Sequence, residues 1–232
     1  MKSYKLIHQL LSLVEKLEEE TNGAEVTLQH FTGFLVAEVS KDTANDATPD
    51  IRFGENEMYA QHSAYQLDNN IGRLFVYMSR YAKAYIKKAL DGTPLQTGED
   101  FTGLAILLTH DHLSKSELIS RNLQEKTSGM EVIRRLIAAE LVTQWDDADD
   151  KRGKRIAITD KGRHLMYRVF VDMSYVSQII TGKLTTSEKL TLQYLLQKLE
   201  SFHYANHEQK VLVSKTDLKS YAASLPDKIV NF

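Results

Sequence analysis

The 232-residue chain is expected to fold mostly as α-helices that carry one small β-hairpin. Three observations lead there. Apolar residues recur at three- and four-residue steps over long stretches, and only 3 prolines and 11 glycines stand in their way. Ser or Thr followed three residues later by Asp or Glu recurs ahead of apolar runs, which is the spacing of a capped helix start. One stretch, WDDADDKRGKRIAIT from Trp145 to Thr159, sets strand-like runs on either side of a highly charged turn.

Composition narrows the classes. A hydrophobic share of 42% with 26% charged residues suits a chain that buries a core. There is no cysteine, so disulfides, thiolate zinc sites and iron–sulfur clusters are excluded. No apolar run approaches the roughly 18–20 residues that span a bilayer. The start, MKSYKLIHQLLSLVEKLEEE, has its apolar residues interrupted by His8, Gln9 and Ser12 and ends in glutamates. It is read as an amphipathic helix rather than a leader, in a cytoplasmic protein with no membrane partner. Net charge is only −2, but it is unevenly placed. Residues 1–70 hold 5 Lys and Arg against 12 Asp and Glu, and residues 151–168 hold 7 against 1. A polyanion needs a basic face, not a basic protein.

Residues 1–40 form a helical extension. Leu6, Leu10, Leu13, Val14 and Leu17 share one face, Thr21-Asn22-Gly23 stops that helix, and a second runs from about Leu28 to Val39. Residues 41–66 are polar, acidic and aperiodic, and are expected to be a loop or linker. Residues 67–96 hold a long helix. Leu67, Ile71, Leu74, Met78, Tyr81, Tyr85 and Ala89 form its apolar stripe, and Asp91-Gly92-Thr93-Pro94 ends it. That stripe serves either the chain's own core or a partner helix.

Residues 97–163 hold the informative part. Thr97 with Asp100 caps a helix whose buried face is Leu104, Leu107 and Leu108. Ser114 with Glu117 caps a short helix ending near Asn122. A third helix begins near Thr127, with Ser128 and Glu131 at capping-box spacing. Its inward residues are Ile133, Leu136, Ile137 and Leu141, and Lys126, Arg134 and Arg135 can point outward. Two short helices joined by a tight turn, the second basic outside, are a helix-turn-helix arrangement. Val142 to Trp145 and Ile156 to Ile158 then read as two strands joined through Gly153. A hairpin in that place is a wing. Lys151, Arg152, Lys154 and Arg155 supply the charge a wing tip needs against a phosphate backbone or a narrow minor groove. One or two of Asp146, Asp147, Asp149 and Asp150 can brace those arginines. The plainer alternative is an exposed hairpin of mixed charge.

SKSELISRNL, the helix ending RRLIAAELV, and DDADDKRGKRIAITDKGRHLM together resemble the winged helix-turn-helix of the MarR family of bacterial transcription regulators. The wing pattern is met by Asp147, Asp150, Lys151, Arg152, Ile156, Ile158, Thr159 and Gly162. The resemblance covers residues of about 67–203, including LTTSEKLTLQYLLQKLESF, which looks like the family's C-terminal dimerisation helix. It implies a mostly α fold: a winged helix-turn-helix core with a two-stranded wing, flanked by long N- and C-terminal dimerisation helices, the latter within residues 164–232. It implies a homodimer on a palindromic operator, usually a repressor and often released by a small-molecule effector. Two residues depart from the pattern. Gly129 stands where a buried valine is common, and Glu131 where a base is common; Glu131 either closes a capping box onto Ser128 or accepts from a cytosine amino group.

On this reading the partners are double-stranded DNA and a second copy of the chain. Phosphates are positioned by Ser116, Arg121 and the wing bases, and base edges are read by Lys126, Thr127, Ser128, Met130 and Arg134, with Arg135 in the same set. Arg152→Ala and Arg155→Ala are expected to make the salt dependence of binding shallower. Tyr167, Phe170 and Met173 are candidate effector-lining residues in a stretch more simply read as a core helix. His110, His112, His203 and His207 lack a third ligand or an HExxH frame, so they read as capping or solvated side chains. No cofactor or enzyme signal appears. The rival reading is a winged-helix interaction scaffold that does not read DNA.

Overall fold

The structure, a computed structural model, describes residues 2–21, 26–43, 52–54, 56–147 and 153–225. The chain divides into two units, residues 1–70 and 71–232.

In the first unit, α1 (Lys2–Glu20) and α2 (Leu28–Thr43) lie against each other. Leu17 of the expected stripe is buried, and the Lys16 Nζ meets Glu38 Oε2 at 2.9 Å. The Thr21 hydroxyl donates to the Leu17 carbonyl and closes α1. The expected loop over residues 41–66 is partly helical. α2 runs on to Thr43, and α3 spans Met58–Tyr65, with the Glu57 side chain accepting from the Tyr59 N–H as its N-cap. α3 buries none of its residues, so no one-sided pattern was written into its sequence.

α4 (Leu67–Ala89) has the ends that the stripe predicted. Its apolar residues are nonetheless open: Leu74, Phe75, Val76 and Met78 are all exposed, and the helix buries no residue. Only Ile86 near its end, and Leu90 just beyond it, join the core.

The second unit continues with α5 (Gly98–Leu108), β1 (Leu113–Ser114), α6 (Lys115–Arg121), α7 (Lys126–Ala138), β2 (Val142–Asp146), β3 (Lys154–Ile158), α8 (Asp160–Thr181), α9 (Thr186–Glu208) and α10 (Lys215–Ser224). The expected two-stranded wing is part of a three-stranded antiparallel sheet of order β1-β3-β2. β1 is two residues long, Leu113 opposite Ile156 and Ser114 opposite Arg155, which is too short to show alternation in the sequence. β2 and β3 pair Val142 with Ile158, Gln144 with Ile156 and Asp146 with Lys154. That register turns Ile156 and Ile158 inward and leaves Lys154 in solvent.

One core serves α5 to α8 and the sheet, while α9 and α10 bury no residue. Leu104 and Leu107 from α5, Leu118 from α6, Ile133 and Leu136 from α7, Leu141, Ile156, and Met166 and Val169 from α8 are almost completely buried. Each such side chain contributes about 1.5–3 kcal/mol relative to leaving it exposed. α8 starts close against this core because Gly162 has no side chain: a Cβ there would lie 2.5 Å from the Leu141 carbonyl oxygen.

Among the described residues, three helices end in a left-handed residue that is not glycine. Leu123 (φ 52°), Glu140 (φ 60°) and Lys210 (φ 50°) close α6, α7 and α9. After α6 the Leu123 N–H donates to the Ser120 carbonyl at 3.0 Å and the Gln124 N–H to that of Ile119 at 3.1 Å, a Schellman closure. Left-handed backbone costs an L-residue with a Cβ roughly 1–2 kcal/mol. Leu123 is 59% exposed and returns little by packing. Leu123→Gly is therefore expected to stabilise the chain by about 1 kcal/mol, read as a higher urea midpoint at unchanged slope.

Candidate nucleic-acid interface

α6 and α7 are presented by α5. The Asn122 side chain, at the end of α6, donates to the Glu99 carbonyl at 3.0 Å and accepts from the Thr102 hydroxyl at 2.6 Å. This pins the helix-turn-helix turn to the helix beneath it. α6 opens on the expected capping box: the Ser114 hydroxyl accepts from the Glu117 N–H, and the Glu117 carboxylate accepts from the Ser114 N–H at 2.7 Å. Those bonds from Ser114, aided by the nearby Arg155, hold the Glu117 carboxyl below its ordinary value.

α7 approaches α6 closely at Gly129, where a Cβ would sit 2.5 Å from Ile119 Cγ1. The buried side of α7 is Gly129, Val132, Ile133 and Leu136. Thr127, Ser128, Met130 and Glu131 stay exposed, with Lys126 at the N-terminus and Arg134 one turn further on. The capping expectation for this helix needs correction. α7 starts at Lys126 behind Glu125, without a side-chain cap bond, so Ser128 is already inside the first turn. Glu131 instead accepts from Arg134, Nε to Oε2 at 2.9 Å and Nη2 to Oε1 at 2.7 Å.

Arg135 needs correction as well. It does not point outward. Its Nη2 donates to Asp100 Oδ1 at 2.5 Å, and Asp100 is 1% exposed. The other Asp100 oxygen accepts from the Gln96 and Thr97 N–H groups as part of the α5 capping box. Arg135 thus ties α7 to the start of α5 and is taken out of the set of DNA contacts. Charge alone could not separate Arg134 from Arg135; the 100° step around the helix does, since it sets Arg135 toward α5.

On the wing, Arg155 Nε donates to Asp147 Oδ2 at 2.6 Å and its Nη1 lies 3.3 Å from Glu117 Oε2. Lys154 pairs with Asp146 across the strands. Asp147 and Glu117 therefore brace Arg155 and tie the wing to the start of α6. Arg155 is a clamp more than a free phosphate contact. Lys151 and Arg152, together with Asp149 and Asp150, lie outside the described residues.

Lys126 and Met130 of α7, Ser116 of α6, and Lys154 and Arg155 of the wing line one open cleft of about 1410 Å³. The structure so brings helix and wing to the same side. His203, His207, Leu212 and Val213, where α9 turns toward α10, also line this cleft. Arg121 is not brought to this cleft; it borders a separate shallow depression with Thr102, Ile106 and Leu123. Of the candidate effector residues, Tyr167 and Phe170 are exposed, and Phe170 meets Phe101 edge-on at 5.8 Å. Met173 packs against the core. His110 caps α5 by bonding the Ile106 carbonyl at 2.8 Å, and His112 stacks edge-on with Trp145.

A helix-turn-helix followed by a hairpin, with both on one accessible side, defines a winged-helix DNA-binding protein. Residues 108–162 match the family described as winged helix DNA-binding domain. The transcriptional repressor NicR of Pseudomonas putida is 26% identical over 139 residues, spanning 60% of this chain and 87% of that protein. Among solved structures, a MarR protein from Peptoclostridium difficile superposes with a TM-score of 0.57 at 24% identity, over 62% of this chain and 94% of that one. Bordetella bronchiseptica BpsR, whose DNA binding is regulated by 6-hydroxynicotinic acid, gives 0.53 at 23% identity, over 56% of this chain and 98% of its own. Over residues 108–162 the chain thus carries a winged-helix DNA-binding domain, and over a little more than half its length it is similar to MarR-type transcriptional regulators.

Proposed function

We propose that the chain acts as a homodimer on a palindromic DNA operator, as a repressor in the cytoplasm, with α7 in successive major grooves and the wings against the flanking backbone. The observation that carries this is the shared side of α7 and the wing: Lys126, Met130, Lys154 and Arg155 border one cleft. Dimerisation is supported by apolar residues left open on long helices, among them Leu74 and Met78 of α4, Tyr175 and Ile179 of α8, and Leu195 and Leu199 of α9. A lone soluble chain seldom exposes apolar surface on this scale. Helices that interlock with a second copy would cover it and would set two α7 helices about one duplex turn apart, ~34–36 Å.

Duplex entry requires the α9–α10 elbow to stand clear of the cleft. α9 buries none of its residues within its own chain, so packing inside the protomer does not oppose that displacement. A small effector that steadies the junction of α5 and α8, at Phe101 and Phe170, would bias the spacing of the two α7 helices and so release the operator.

Selection of bound duplexes from random DNA tests the reading. A palindrome with half-sites one turn apart and a particle of twice the chain mass are the expected results. Lys151→Ala and Arg152→Ala should each lower the slope of log affinity against log salt by about 0.9. A wild-type chain with no salt-sensitive affinity for any duplex would end the proposal and leave the interaction scaffold in its place.

A further inference from the structure

Thr127, Glu131 and Arg134 are spaced i, i+4, i+7 and form one stripe along α7. The stripe lies opposite the buried side made by Gly129, Val132, Ile133 and Leu136. It is the part of the helix that would go deepest into a groove. The flanks, where Lys126 and Ser128 sit, would face the sugar-phosphate walls.

Along this stripe the Glu131 carboxylate grips Arg134 side-on, through Nε and Nη2. Side-on gripping leaves the end-on edge of the guanidinium free, with N–H groups on Nη1 and Nη2 directed away from the carboxylate. That edge matches O6 and N7 of guanine in the major groove. Glu131 is itself held from behind: Arg135 Nη1 lies 3.7 Å from its Oε1, and Arg135 is locked to the buried Asp100. Acid and base alternate from the core outward, through Asp100, Arg135, Glu131 and Arg134. The last member is a fork of donors with a set orientation and 71% of its side chain in solvent. Bonding to Arg134 holds the Glu131 carboxyl below its ordinary value, so the grip persists through neutral and mildly acidic conditions.

We infer that Arg134 reads a guanine in each half-site, with Glu131 as its positioning residue. The inference rests on α7 being the groove-entering helix. A phosphate contact fits the arrangement poorly, because the Glu131 carboxylate would be drawn toward the phosphate and repelled by it. A base edge presents O6 and N7 to the fork and leaves the carboxylate facing the helix. Fixing the long arginine beforehand also removes rotamer freedom that would otherwise be lost on binding. The residue that looked wrong for a DNA-facing helix becomes the one that aims the reader.

The test uses a duplex recovered by selection from random DNA, together with variants of it in which each G·C pair of a half-site is changed in turn to A·T. Binding is measured for the wild type, Arg134→Ala, Arg134→Lys and Glu131→Gln. The wild type should lose about ten-fold or more at one G·C position. Both Arg134 variants should abolish the penalty at that position alone and leave the salt slope unchanged. Glu131→Gln should shrink the same penalty and spare the other positions. A uniform loss over the whole panel, with the slope lowered by about 0.9, would make Arg134 a phosphate contact and overturn the inference. An unaltered panel for Glu131→Gln would remove its positioning role. A wild type that binds no duplex overturns the interface itself, an outcome separate from any of these.

Discussion

Gly129→Val should destabilise the chain by about 1–3 kcal/mol or more and abolish operator binding. A Cβ at position 129 would lie 2.5 Å from Cγ1 of Ile119, 3.1 Å from its Cγ2 and 3.2 Å from its Cβ. Rotating Ile119 does not relieve this, because its own Cβ is among the atoms struck and a β-branched side chain is stiff at χ1. Ile119 is also 8% exposed, with no room to withdraw. α7 would have to move away from α6, carrying Thr127, Glu131 and Arg134 out of register with the wing. Chemical denaturation gives the stability, and binding to the selected duplex gives the register. Ile119→Ala placed in the same chain should recover much of the loss, because it opens the volume the valine needs. A single variant as stable as the wild type would show that the two helices are not as close as described.

Arg135→Met is the second large effect, with an expected loss of about 3–5 kcal/mol. Asp100 is 1% exposed and would keep only the Gln96 and Thr97 N–H groups as donors. Removing one partner from a buried ion pair leaves an uncompensated charge, which is costlier than removing both. Asp100→Asn added to the Arg135→Met variant should therefore restore part of the stability, and that non-additivity in a double-mutant cycle is the diagnostic. The neighbouring Arg134→Ala should change stability by no more than about 0.5 kcal/mol, because that side chain is solvated. Two adjacent arginines of one helix would thus separate cleanly, one into stability and one into recognition. Equal unfolding midpoints for the two variants would remove the distinction.

Much of the helix-turn-helix was legible in the chain because its signals are local. Thr97 with Asp100 and Ser114 with Glu117 mark helix starts by bonds that close within four residues, and the structure contains both. The stripe from Leu67 to Ala89 marks a helix by its period alone. β1 escaped because two residues carry no period, and its pairing with Ile156 and Arg155 spans some forty residues of chain. α3 escaped because it buries nothing.

The candidate interface divides along the same line. Which residues are charged, and that bases crowd the segment after Asp150, is plain from the order of amino acids, as is the likeness to MarR regulators carried by the wing pattern. Which of those charges is free is a different matter. Arg135 turns inward to Asp100, Arg155 is clamped by Asp147 and Glu117, and Glu131 is spent on Arg134 rather than on a helix cap. Composition counts charges, but partners 8, 35 or 38 residues apart are chosen when helices and strands pack, and each pairing withdraws a group from the surface. Short-range periodicity and capping chemistry laid out the elements; long-range contact assigned each ionised side chain to the core, to a brace or to solvent.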